Sequence, residues 1–298
     1  MVLLAIIRML NLRDIKVLHL ESTDVCQAAC PLCARETDHE FDQTQQHHLT
    51  ISQISKHFRD CVIENLDKMF MCGAYGDPAA GKYTLDIQQW FRQLNPNITL
   101  GMNTNGAIQN TSWWHKLGCM FNQPSDYVVF SIDGLKDTNN TYRRGVDWRK
   151  LIANASAYIS AGGSAHWDML VYRHNQHQVE ECESLAREMG FSWFRAKVSN
   201  RGFTDALQSP LNWQPPVTGI GVIQCHALAE KSAYIDAQGR LSPCCWLGGF
   251  QSNTITDIRQ VQDSWQSSTP NSTCQKSCGT HDSKTNFGNQ WRRETQLQ

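Results

Sequence analysis

Short apolar runs rich in β-branched residues alternate along the first two thirds of the chain with stretches whose apolar positions recur at helical spacing. That alternation predicts βα units feeding a parallel sheet. Strands are predicted at Lys16 to Glu21, Lys68 to Gly73, Ile98 to Asn103, Tyr127 to Ile132, His166 to Tyr172 and Ser192 to Val198. Helices are predicted between them near Ile51 to Leu66, Leu85 to Leu94, Ser112 to Leu117, Trp148 to Ala161 and Gln178 to Met189. Thr50 with Gln53 three residues on reads as a capping box, and Gly190 after Met189 suits a helix C-terminus. Six such units in series predict an α/β fold, a partial (β/α)6 TIM barrel, with its functional groups at the C-terminal ends of the strands.

The alternation stops near Arg201, and Gln208 to Gly221 carries Pro210, Pro215 and Pro216 with no clear period, as a linker would. Beyond it, Ser232 to Asp236 and Arg240 to Pro243 flank Ala237, Gln238 and Gly239, which predicts a β-hairpin with glycine in the turn. A short helix is predicted near Asp257 to Trp265. The expected organisation is a lead-in over 1–15, a barrel over 16–205, a linker over 206–221, a small C-terminal domain over 222–285 and a tail over 286–298.

Composition narrows the function classes. The 298 residues include 27 Lys and Arg against 28 Asp and Glu, a formal net charge of -1. There is no basic field to gather phosphates, so no nucleic-acid partner is expected. The apolar start, Met1 to Leu10, is about half the roughly 20 residues of a membrane helix and has no cleavage site after it. It reads as the approach to the first strand of a cytoplasmic protein without a membrane partner. Twelve cysteines in a reducing compartment point to metal binding or reactivity rather than a disulfide framework.

Directly after the first strand stands Cys26-Gln-Ala-Ala-Cys30-Pro-Leu-Cys33, three thiols within eight residues. Such a loop can wrap three corners of one cubane iron-sulfur cluster and leave one iron for a small molecule. A zinc loop completed by His39 or a distant cysteine, or reactive unligated thiols, are the alternatives. The C-terminal region carries Cys225, Cys244, Cys274 and Cys278, ligand types that a structural zinc site would also use. Cys245 adjoins Cys244 and competes with it. Cys61, Cys72, Cys119 and Cys182 lack ligand spacing and read as small buried hydrophobes. Asp168 and Arg195, near the fifth and sixth strands, are candidates to face the barrel interior, and His47, His48, His174 and His177 read as loop histidines.

The Cys-x3-Cys-x2-Cys loop after a first barrel strand resembles the signature of the radical S-adenosylmethionine (radical SAM) superfamily, and the resemblance runs from about Val17 to Val198. Cys72-Gly-Ala-Tyr-Gly-Asp-Pro78 is similar to the family's glycine-rich region that holds the amino group of SAM, with Asp77 where Glu is commoner. Asn103-Thr-Asn-Gly106, Ser131-Ile-Asp-Gly134 and Tyr142-Arg-Arg-Gly145 are similar to motifs at later strand ends. The resemblance thus implies cofactor contacts at Gly73, Gly76, Asp77, Thr104, Asn105, Ser131, Asp133 and Arg143, with Ser131 and Arg143 at the ribose and carboxylate of SAM. It implies a SAM-binding [4Fe-4S] cluster on Cys26, Cys30 and Cys33. The C-terminal cysteines resemble the Twitch or SPASM appendage and imply a second, auxiliary [4Fe-4S] cluster on Cys225, Cys244, Cys274 and Cys278.

The implied activity is reductive cleavage of SAM to a 5'-deoxyadenosyl radical, which takes hydrogen from a peptide or small-metabolite substrate for oxidation or bond formation. An external one-electron reductant such as flavodoxin or ferredoxin is implied as partner. With about fifteen residues before the barrel, no built-in leader-peptide recognition module is expected, so a peptide substrate would need a separate recognition partner. The competing classes are a zinc-stabilised binding module without catalysis and an iron-sulfur electron carrier.

Overall fold

The computed structural model describes residues 14–199, 201–214, 223, 225–247 and 272–278. The helix expected near Asp257 to Trp265, the expected tail and most of the expected lead-in lie outside the described residues, as do parts of the expected linker and C-terminal domain.

Six parallel strands follow one another in space as they do in sequence: β1 (Val17–Leu20), β2 (Lys68–Met71), β3 (Thr99–Thr104), β4 (Tyr127–Ser131), β5 (Ala165–Val171) and β6 (Trp193–Val198). Right-handed crossovers between strands laid down in unbroken order put every connecting helix on the same face. The pattern of burial agrees. One core cluster joins the helix-facing set Leu18, Leu20, Met69, Met71, Leu100, Met102, Val128, Phe130, Trp167 and Met169 to helical residues such as Ile54, Phe91, Trp114, Leu151 and Ala186. All six predicted strands are present, displaced by at most two residues at either end.

Helices α4 (Thr84–Leu94), α5 (Thr111–Met120), α7 (Trp148–Ser160) and α8 (Val179–Met189) cover that face, with α6 (Asn139–Tyr142) as a single turn and α1 (Ala34–Thr37) just after the cysteine loop. Asn110 and Asp147 cap α5 and α7 through their side chains, and Gly190 ends α8 with φ +85°. The helix expected over Ile51 to Leu66 is two: α2 (Ile51–His57), opened by the Thr50–Gln53 capping box, and α3 (Asp60–Ile63). Phe58 and Arg59 between them are extended. The break lets Ile54, Phe58, Ile63 and Leu66 all reach the core. Apolar spacing alone does not reveal it, because the period runs on across the interruption.

The predicted hairpin is formed by β7 (Ser232–Ile235) and β8 (Leu241–Ser242), with Gly239 at φ +81° in its turn. It does more than the sequence implied: β7 pairs in parallel with β1 and extends the sheet to eight strands. Two further helices, α9 (His226–Glu230) and α10 (Ser272–Cys278), belong to the same C-terminal region. Among the described residues, no helix is long and apolar enough to cross a membrane.

Candidate functional site

Side chains alternate along a strand, so the strand positions that do not face the helices share the opposite, inner face. At the N-terminal end this face is filled. The His19 ring stacks on Phe70 at 4.3 Å and meets Tyr234 edge-on at 4.8 Å, while Tyr127 stacks on His166 at 5.2 Å. The Lys68 ammonium lies 5.1 Å from the Phe70 ring and 4.8 Å from the Tyr127 ring. A Cβ at Gly101 would come within 2.6 Å of the Tyr127 ring, so glycine there is what allows the ring to lie across the sheet. Burial holds His19 neutral by lowering its pKa to about 4, and its Nε2–H donates to the Cys72 carbonyl at 2.6 Å.

At the C-terminal end the inner face opens. Asn103, Ser131, Asp168, Leu170, Arg195 and Lys197 are only partly buried, whereas their helix-facing neighbours Phe130, Trp167 and Met169 are buried. Loops that follow β1, β2, β3 and β4 crowd this mouth, the location expected of function in such a fold.

The loop after β1 carries Cys26, Cys30 and Cys33. Cys26 Sγ accepts from the Ala28 N–H at 3.4 Å and from Asn105 Nδ2 at 3.7 Å, and Cys33 Sγ lies 3.8 Å from the Ala74 carbonyl. Arg143 Nη1 stands 4.0 Å from Cys30 Sγ. As free thiols Cys26 and Cys30 would be inert. Burial, reinforced by Asp77, pushes Cys26 up to about 12, and burial also raises Cys30 despite the neighbouring Arg143. Buried thiols with no base beside them are poor nucleophiles, whereas coordination to a metal centre ionises a thiol outright. The donor set, one thiol-rich loop with N–H groups aimed at sulfur, therefore fits an iron-sulfur centre and not a set of reactive thiols. Among the described residues no three His, Cys, Asp or Glu side chains converge as ligands of a single metal ion.

The strand-end residues expected at the cofactor divide into two kinds. Asp77 and Asp133 are buried and their carboxylates are engaged within the protein. Asp77 accepts from the Ala79 N–H at 2.9 Å, the Thr104 hydroxyl at 2.8 Å and the Asn105 N–H at 2.7 Å, which ties the β2 loop to the end of β3. Asp133 accepts from the Leu170 N–H at 2.6 Å and from Arg143 Nε at 2.6 Å. Asp133 thus positions Arg143 so that another edge of its guanidinium faces Cys30. Asn105 closes a lattice with Gln27, beside Cys26. Ser131 remains at the half-open rim of β4.

Gly73 and Gly76 are held to glycine by close backbone contact. A Cβ on Gly73 would meet the Gly76 carbonyl at 2.0 Å, and one on Gly76 would meet the Thr23 carbonyl at 1.9 Å. The space is occupied by backbone: the β2 loop is pressed directly onto the segment leading to the cysteine loop.

Glu21, His19 and Lys197 were not singled out by sequence reasoning. Period 2 along β1 and β6 marks all three as inner-face positions, which is the signal available for them. Glu21 Oε1 accepts from the Tyr75 and Gly76 N–H groups at 2.7 and 3.1 Å, and Tyr234 donates to Oε2. Asp168 and Arg195, expected inside the barrel, are paired there at 2.7 Å, and Lys197 joins Asp168 at 3.0 Å. His47 lies in a loop as expected, where its Nδ1 bonds Asp24 at 2.6 Å. Cys182 is buried as expected and Cys72 is half-buried on the inner face, while Cys61 and Cys119 are exposed.

The second cysteine group assembles from three segments. Cys225 has Cys278 and Cys244 as electrostatic neighbours, and Cys244 has Cys274 and Cys278. Backbone N–H groups of Ala227 and Leu228 serve Cys225, those of Trp246 and Leu247 serve Cys244, and that of His226 serves Cys278. Burial pushes Cys225 up to about 12 and Cys244 up to about 11. Cys245 has Cys72 and Glu21 as further neighbours, on the barrel side, which separates the two adjacent thiols. The donor chemistry fits a fully ligated cluster on the first four.

No protein-family model matches the chain, and no curated protein matches it significantly. Solved structures do. SuiB from Streptococcus suis, in its crystal structure bound to S-adenosylmethionine, superposes with a TM-score of 0.57 at 13% identity over 85% of this chain and 66% of SuiB. SuiB bound to the precursor peptide SuiA gives 0.57 at 13% identity, over 85% and 65%. anSMEcpe with bound AdoMet and the Cp18Cys peptide gives 0.54 at 14% identity, over 77% of this chain and 73% of that one. The chain spans slightly under two thirds of the SuiB length. At such identities the likeness is one of fold, and it sets this chain among partial (β/α) barrels.

Proposed function

We propose that the protein is a radical SAM enzyme, an oxidoreductase or maturase, that cleaves S-adenosylmethionine reductively and takes hydrogen from a peptide or small-metabolite substrate. The observation that carries this reading is the placement of Cys26, Cys30 and Cys33 at the C-terminal mouth of a partial barrel, ringed by the ends of β2, β3 and β4. Three thiolates leave one iron of a [4Fe-4S] cluster without a protein ligand, and the chemistry supplied there is one-electron cleavage of SAM to methionine and a 5'-deoxyadenosyl radical.

The chain's own residues do the rest. Asp133 holds Arg143 against the cysteine loop, where the guanidinium is placed for the carboxylate of SAM, and Ser131 offers a hydroxyl for the ribose. The Asp77 clamp fixes the β2 loop, leaving Gly73, Gly76, Thr104 and Asn105 to shape the amino-group end of that site. The aromatic plug of His19, Phe70, Tyr127 and His166 closes the far end of the inner face and keeps water from a radical. Cys225, Cys244, Cys274 and Cys278 would hold an auxiliary cluster with no open iron, suited to accepting an electron from the substrate. An external one-electron reductant, of the flavodoxin or ferredoxin kind, completes the system. The peptides bound to SuiB and anSMEcpe favour a peptide over a metabolite.

The test is anaerobic reconstitution with iron and sulfide, an iron count, and assay for 5'-deoxyadenosine after adding SAM and dithionite. Iron-loaded protein that releases 5'-deoxyadenosine is the expected result. Colourless protein holding zinc would replace this reading with a structural module, and iron-loaded protein without the product would replace it with an electron carrier.

A further inference from the structure

The inner face is not electrically neutral at its open end. Asp168 stands between two cations, accepting from Arg195 Nε at 2.7 Å and from Lys197 Nζ at 3.0 Å, so the trio carries one net positive charge. The Lys197 side chain is 40% exposed, and an ammonium offers three N–H donors, of which Asp168 takes one. Asp168 stands in register with Ser131 of β4 on one side and Arg195 of β6 on the other, so the trio lies beside the half-open rim of β4 and is not confined to the edge strand. Arg201, just beyond β6, donates to the Leu32 carbonyl at 3.3 Å, which brings this side of the mouth against the cysteine loop. Deeper in, Lys68 is spoken for by the Phe70 and Tyr127 rings. Arg143 is paired with Asp133.

We propose that Lys197, steered by Asp168 and supported by Arg195, is the specificity residue that binds a carboxylate of the substrate at the barrel mouth. A single net positive charge suits a monoanion such as a glutamyl or aspartyl side chain better than a phosphate dianion. The neighbouring inner position Leu170 is partly exposed and offers aliphatic surface to the carbon chain behind that carboxylate. The inference rests on the mouth being the substrate site of the proposed reaction. One charge-assisted hydrogen bond of this kind corresponds to roughly ten- to a hundredfold in affinity.

The experiment uses the reconstituted full chain with SAM and two synthetic heptapeptide pools, identical except that the central residue is Glu in one and Gln in the other. Equilibrium dialysis is expected to retain the Glu pool about tenfold more strongly than the Gln pool. Lys197→Met, which keeps the aliphatic stem, is expected to abolish the preference, and Lys197→Arg to keep it. Free glutarate against glutaramide forms a second arm: a Lys197-dependent preference there, without one among the peptides, assigns the same anchor to a small acid. Equal retention in both arms, or a preference that survives Lys197→Met in a protein of unchanged circular dichroism, overturns the proposal. 5'-Deoxyadenosine release by the wild type is scored separately, so failure of the reaction and failure of the anchor read differently.

Discussion

Tyr234 on the C-terminal hairpin donates its hydroxyl to Glu21 at the end of β1, across 213 residues of sequence. The other carboxylate oxygen of Glu21 holds the Tyr75 and Gly76 N–H groups of the β2 loop. One buried carboxylate therefore joins the hairpin, the first strand and the loop pressed against the cysteine segment. Tyr234→Phe removes the phenolic donor and leaves a buried acceptor short of a partner. The expected cost is about 1–3 kcal/mol of stability, measured by chemical denaturation.

Glu21 also sets a pH dependence. Burial, only partly offset by its hydrogen bonds, raises its pKa from the ordinary 4.5 to about 7. Between these values the folded protein binds more protons at this site than the unfolded chain does. The stability contributed is complete below about 4.5 and declines as pH rises through about 7. Over that window the loss is on the order of 3 kcal/mol. Glu21→Gln keeps an acceptor for the two N–H groups and cannot ionise. Denaturation midpoints recorded from pH 5 to 8 are expected to fall in the wild type and to stay flatter in the variant.

The two cysteine groups make separable predictions. Replacing Cys26, Cys30 and Cys33 together with Ala is expected to lower the reconstituted iron count by about four per chain, the content of one cubane, and to abolish 5'-deoxyadenosine release. Replacing Cys225, Cys244, Cys274 and Cys278 is expected to remove a similar number while SAM cleavage persists. Cys245→Ala is expected to leave the iron count unchanged, because that thiol lies toward Cys72 and Glu21.

Much of this arrangement was legible in the chain. Six strands and most of their helices follow from period and punctuation, whereas the spacing of the cysteine loop narrows its chemistry to an iron-sulfur cluster, zinc or unligated thiols without choosing among them. Three things were not legible, for reasons that are physical. Phe58 and Arg59 break a helix within an uninterrupted apolar period, and spacing carries no information about backbone dihedrals. The hairpin joins the barrel sheet through β7 and β1, a pairing between segments more than two hundred residues apart that no local signal encodes. The strand-end carboxylates Asp77 and Asp133 sit where a cofactor contact is expected, yet their lone pairs go to Thr104, Asn105, Leu170 and Arg143. A motif gives position along the strand but not which way a short side chain turns.

That turning matters for Asp77. Asp77→Ala would orphan the Ala79 and Asn105 N–H groups and the Thr104 hydroxyl in a buried setting, at a cost of about 1–3 kcal/mol for each group that finds no water. Asp77→Asn retains one acceptor and is expected to be milder. The melting temperature is the readout. A variant that lost SAM binding with an unchanged melting temperature would show that Asp77 touches the ligand instead of bracing the loop.

Arg143 and Asp133 offer the sharpest test of how the mouth is held together. The pair is buried on the carboxylate side with a 2.6 Å contact, and the Arg143 guanidinium also stands 4.0 Å from Cys30 Sγ. Arg143→Met leaves Asp133 charged, buried and without its partner, for which about 3–5 kcal/mol of destabilisation is expected. Asp133→Asn in the same chain removes the stranded charge, keeps an oxygen for the Leu170 N–H, and is expected to restore most of that stability. SAM affinity should not return with it, since the double variant still lacks the guanidinium. Equilibrium denaturation and SAM binding, read side by side on the two variants, separate the bracing role of Asp133 from the ligand-facing role of Arg143: recovery of both together would mean that Arg143 serves the fold alone.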